Sequence, residues 1–113
     1  MREPTPDDEG SEADAVFRDI LASYAGAGGV TTKAMFGSVA LLADGHLAAF
    51  VDRRGRFVAK LPEATRVRLQ AAGLAVPMEM AGRPTKEWVA VALSPDADWW
   101  ALADEAVGFV RDR

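Results

Sequence analysis

The feature that most narrows what this chain can fold into is Asp44-Gly45, set inside residues 35–62, MFGSVALLADGHLAAFVDRRGRFVAKLP. A two-residue hairpin turn needs positive φ at both central positions, and Asp-Gly meets that demand at low steric cost. Apolar runs lie on both sides, at 38–43 and 46–52. Arg53-Arg54-Gly55 then turns the chain into a third run, 56–61, and Pro62 stops it because proline cannot donate to a ladder. Three antiparallel strands in succession are expected, with the rest of the chain laid against them.

Side chains alternate across a strand, so simple turns would put Val39, Leu41 and Ala43 on one face with Leu47, Ala49, Val51, Phe57, Ala59 and Leu61. The other face would carry Ala40, Leu42, Ala48, Phe50 and Val58, with His46, Arg56 and Lys60 around them. Both faces are apolar, whereas antiparallel sheets usually leave one face polar. The second face therefore needs a cover, either a helix of the same chain or a second subunit. Leu42, Phe50 and Val58 are its candidate interface residues.

Residues 1–10, with two prolines and four acids, read as a disordered lead-in to a single domain over 11–113. Ser11 can cap a helix whose face is Ala13, Val16, Phe17, Ile20, Leu21 and Tyr24, at spacings of three and four. Gly26-Ala27-Gly28-Gly29 ends it. The cluster lacks the spacing of a phosphate-binding loop and reads as a connector. Past Pro62 a helix is expected over 63–72, closed by Gly73 in a Schellman stop with Leu74 as its apolar contact. Strands follow at 75–80 and 87–93, separated by the turn Ala81-Gly82-Arg83-Pro84. Ser94-Pro95-Asp96 looks like a helix start, and the last helix presents Trp99, Leu102, Ala103, Ala106 and Val110 on one side. The order α-β-β-β-α-β-β-α is that of a two-layer α+β domain with a five-stranded antiparallel sheet.

The chain has no cysteine, which excludes disulfides, thiolate metal sites and a cysteine nucleophile. No apolar run approaches the roughly 18 residues a membrane-spanning helix needs, and the acidic start MREPTPDDEG has no signal-like apolar stretch, so a cytoplasmic location is expected. The net charge of −4 is unevenly spread. Residues 1–32 hold two basic and seven acidic groups, 33–86 nine and four, and 87–113 two and six. The centre is basic and both ends are acidic.

Few residues offer chemistry. His46 is the sole histidine, placed after the Asp-Gly turn without a nucleophile or an orienting acid suggested beyond Asp44. One histidine does not make a zinc site. Ser11, Ser23, Ser38 and Ser94 lack a nucleophile-elbow context. Glu79 and Glu87 flank a turn with no cleft implied. Trp88 and Trp99 fall on packed faces, while Trp100 should point away from the Trp99 face and is a candidate interface aromatic. No catalytic, cofactor or metal site is therefore expected. Arg53, Arg54 and Arg56 surround a hairpin tip, and Lys60, Arg83 and Lys86 form a second basic set. These six are the candidates for contact with an acidic partner or with phosphate.

The same residues carry a resemblance. Met35-Phe36-Gly37 opening a hairpin, Asp44-Gly45 leading to Leu47-Ala48-Ala49-Phe50, Lys60-Leu61-Pro62, Gly82-Arg83-Pro84-Thr85-Lys86-Glu87-Trp88-Val89, and a last helix with Trp99 and Glu105-Ala106 resemble the N-terminal domain of the TfoX/Sxy proteins. The MmcQ/YjbR-like proteins, often labelled DNA-binding, look like cousins. The likeness runs from about residue 17 to 110. It implies an α-β(3)-α-β(2)-α sandwich like that of type III secretion chaperones, a fold that commonly forms homodimers. Full-length TfoX/Sxy proteins regulate natural competence and carry a second, helical domain; the family brings no catalytic residues to carry over. The function expected is a non-enzymatic regulatory or protein-interaction domain whose partner is another protein or itself, without cofactor or membrane. The alternative is a nucleic-acid-binding module of MmcQ/YjbR type, using the basic hairpin tip and the Gly-Arg-Pro turn.

Overall fold

The computed structural model describes residues 6–35, 38–80 and 83–112, with side chains over 12–35, 38–78 and 87–112. The elements in chain order are α1 (Pro6–Ser23), β1 (Val30–Met35), β2 (Ser38–Ala43), β3 (His46–Val51), β4 (Phe57–Lys60), α2 (Glu63–Ala71), β5 (Ala75–Met80), β6 (Arg83–Val91) and α3 (Trp99–Arg111). All strand pairings are antiparallel, and the sheet runs β1-β2-β3-β4-β6-β5. It has six strands where the sequence suggested five. The extra one is β1, whose four central residues are exposed, so no buried stripe announces it.

Two helix starts also differ from expectation. Helix α1 begins at Pro6 instead of Ser11, taking in five residues assigned to the lead-in. Proline suits a first helical turn, where its missing N–H has no partner to lose. Helix α3 begins at Trp99, not at Ser94. Asp98 caps it, its side chain accepting from the amides of Trp100 and Ala101 at 3.0 and 3.2 Å. Ser94–Ala97 instead forms a small turn in which the Asp96 amide donates to the Ser94 hydroxyl at 3.1 Å. Elsewhere the local signals hold. Asp44 and Gly45 have φ of 52° and 83°. Gly73, at φ 75°, closes α2 with its amide on Gln70 O and that of Leu74 on Leu69 O, the two bonds of a Schellman motif. Of the turn expected over 81–84, Arg83 and Pro84 are in β6, Arg83 paired with Met80, and 81–82 lie outside the described residues.

The helices share one side of the sheet. Phe17 and Ile20 of α1, Leu69 of α2 and Trp99, Leu102, Ala106 and Val110 of α3 bury against Leu41, Val51, Phe57, Ala59, Leu61, Val89 and Val91. Phe57 is the centre of this layer, edge-on to Phe17 at 5.9 Å and stacked on Trp99 at 5.3 Å between ring centroids. The other side holds a smaller cluster of Ala40, Phe50, Val58, Trp88 and Ala90, with Met35, Leu42, Leu47 and Met78 half-buried around it. Leu47 was expected on the helix side. A bulge in the β2–β3 ladder reverses it: Leu41 pairs with Ala49 but Leu42 pairs with Leu47, so Ala48 is an extra residue in β3. Ala48 accordingly packs in the helix-side layer.

Candidate interaction surface

Strand β1 is an edge, paired with β2 through six residues from Val30–Ala43 to Met35–Ser38. Among the described residues no strand pairs with its other side. An edge strand presents a row of backbone N–H and C=O groups to whatever extended chain reaches it. Alternation from the half-buried Val30 puts Thr32 and Ala34 on the helix side, while Met35 packs in the second cluster and so places Thr31 and Lys33 on that side. Along the helix-side flank runs a groove of about 560 Å³, lined by Arg18, Leu21 and Tyr24 from the α1 end and by Val30, Thr32 and Val39 from the sheet. It continues past Asp14, Phe17 and Ser38. Val39 is 41% exposed, so the groove floor is apolar and open.

The groove is tied to α3 at its Tyr24 and Val30 end. The Tyr24 hydroxyl donates to Asp104 Oδ1 on α3, and burial, then the hydrogen bond and charge of Asp104, push that hydroxyl well above its ordinary range. Before β1, the Arg111 guanidinium donates to the Gly28 carbonyl and pairs with Asp44 at 3.6 Å, while the Asp44 amide donates to Gly29 O at 2.7 Å. A Cβ on Gly29, at φ 77°, would fall on the Asp44 carboxylate and on Arg111 Nη2. The Gly26-Ala27-Gly28-Gly29 connector is thus a fitted loop, clasped between the β2–β3 turn and the last turn of α3.

The six basic candidates divide. Arg53 and Arg54 are exposed at the β3–β4 turn, with no side-chain partner among the described residues. Arg56 is committed: its Nε donates to Asp52 Oδ2 at 2.8 Å, its Nη2 pairs with the same oxygen at 2.8 Å, and Nη2 also reaches Met78 Sδ at 3.7 Å. Lys60 pairs with Glu87 at 3.6 Å and lies 6.0 Å over the Trp88 ring. The side chains of Arg83 and Lys86, like that of Glu79, are outside the described residues. Arg54 and Arg56 share an open groove of about 550 Å³ with Glu12, Leu93, Ser94 and Pro95.

Of the four apolar interface candidates, Phe50 and Val58 are buried within the chain itself, at 5% and 0% exposure. Phe50 meets Trp88 at 6.1 Å between ring centroids, so the second face closes largely on its own side chains, and among the described residues its cluster contains no helix residue. Leu42 is half-buried. Trp100 stands 46% exposed on the outer side of α3. His46 is exposed at the start of β3, paired with Ala43. Among the described residues no three His, Asp or Glu side chains gather as a metal-binding group. No described helix is long and apolar enough to cross a membrane.

The β1 edge and its groove are what reading the sequence missed. The β-branched run Val30-Thr31-Thr32 was the available signal, but its exposed centre gives no alternation to read.

These features define an α+β domain in which an open antiparallel sheet is backed by helices on one face. The chain belongs to the TfoX N-terminal domain family, whose model matches residues 21–110 of its 113. No curated protein matches it.

Proposed function

We propose that this domain works by contact: it is a non-enzymatic regulatory or protein-interaction module that receives an extended segment of a protein, another or its own, at the β1 edge. The observation that carries this reading is the open strand beside the apolar floor of Leu21, Val30 and Val39. Main-chain hydrogen bonds to an edge supply affinity, and the flanking groove supplies selection among side chains. Family membership supports the reading at the level of the domain alone.

The test is affinity capture from the native cell with mass-spectrometric identification, comparing the wild type with Val39→Arg, which puts a charge on the groove floor. A protein partner, or the chain itself, recovered with the wild type and lost with the variant is the expected result. Identical recoveries would overturn the reading. One observation favours a second reading: Arg53 and Arg54 project from a turn with no side-chain partner among the described residues, a fit for phosphate. Nuclease-sensitive recovery, weakened by Arg53→Ala and Arg54→Ala but not by Val39→Arg, would replace the protein-contact reading with the nucleic-acid one.

A further inference from the structure

We infer that the segment received at β1 is the β1 of a second copy of this chain, added antiparallel about a two-fold axis at Thr32. This rests on the contact reading above and names its partner. The two edges of the sheet are treated differently. Strand β5 carries Pro77, which lacks a donor, and an irregularity in its ladder between Pro77 and Glu79. Proline and bulges are the devices that keep an edge from pairing. Strand β1 has neither across Val30–Met35. Head-to-tail addition of β1 to β5 would propagate without end, and the β5 edge obstructs it. Addition of β1 to β1 closes after two copies and covers the edge that carries neither proline nor bulge among the described residues, joining two six-stranded sheets into one.

The surface is also suited to itself. Its flank carries one acid, Asp14, and one base, Arg18, and β1 itself adds only Lys33, too few charges to select a polyanion or a polycation. A two-fold axis reverses the groove against its copy and sets neither charge against its like by necessity. The register follows from Lys33. Centring the pair on Lys33 would put two ammonium groups directly opposite, which is repulsive. Centring it on Thr32 sets Lys33 against Thr31 and Val30 against Ala34, and brings the two Thr32 side chains together.

The chain has no cysteine, so one introduced thiol reports one position. In the proposed seam the two Thr32 Cα atoms would lie about 4.5–5.5 Å apart, within disulfide range. Light scattering across a dilution series should show the wild type as a dimer. Thr32→Cys, with a reduced form that melts like the wild type, should cross-link at least about tenfold faster than Val76→Cys on the exposed β5 edge, because pairing raises the local thiol concentration. A monomer at every concentration overturns the proposal. So does a dimer in which Thr32→Cys links no faster than Val76→Cys. The contact reading fails separately: a monomer that still captures another protein in a Val39-dependent way loses only the second copy as partner, whereas a monomer that captures nothing loses both.

Discussion

Gly29 shows how one position can be fixed by three constraints at once. Its φ of 77° lies where a side chain costs about 1–3 kcal/mol of backbone strain. The space its Cβ would take is filled by the carboxylate of Asp44 and the guanidinium of Arg111. Both are ends of side chains, so Gly29→Ala can be accommodated, but only by displacing the pair that clasps the loop. Urea unfolding should place Gly29→Ala about 1–3 kcal/mol below the wild type; an unchanged midpoint would mean the clasp is slack. A sequence reader sees glycines and infers a loose connector. What holds Gly29 is a contact with Arg111, far along the chain, and spacing cannot show it. Among the basic candidates the same blindness operates. Arg56 looks like its neighbours Arg53 and Arg54, yet Asp52, four residues back, has already taken it.

At the level of elements, legibility tracked how much of each element is buried. Helix α3 presents Trp99, Leu102, Ala103, Ala106 and Val110 to the core as its spacing required, and the β2–β4 meander stands where its turns put it. Strand β1 was invisible because both of its faces are exposed at the centre. The start of α3 was misplaced because Ser94-Pro95-Asp96 and Asp98 are competing cap signals, and only the geometry chooses Asp98. The ends of α1 and the body of α3 are joined by Tyr24 and Asp104, and this joint has a pH signature. The Tyr24 hydroxyl titrates above its ordinary 10.0 in the fold, so above that pH the unfolded chain releases a proton that the folded chain keeps. Stability from this group is whole below pH 10 and declines as pH rises further. Thermal midpoints of the wild type should therefore fall more steeply above pH 10 than those of Tyr24→Phe; parallel curves would show that the joint contributes nothing.

For the whole molecule, the two-sided apolar meander was the basis for expecting a partner, and the structure moves that expectation to another surface. Three helices cover one face, Phe50, Val58 and Trp88 close the other among themselves, and what stays open is an edge. The two-layer class could be read from the order of elements; which surface remains free could not, because it depends on a bulge and on an unannounced strand. That bulge has a consequence for how the sequence can change length. Removing a residue from a strand ordinarily slides every later pair and turns its side chains to the wrong face. In β3 the pairs on either side of Ala48, Leu42 with Leu47 and Leu41 with Ala49, already stand as if Ala48 were missing. Deleting it would join them into a regular ladder with every other partner kept. The chain lacking Ala48 should fold with a native-like amide spectrum, whereas deletion of Phe50 or Val51 should not. At this one point in the meander, the fold can lose a residue without losing count.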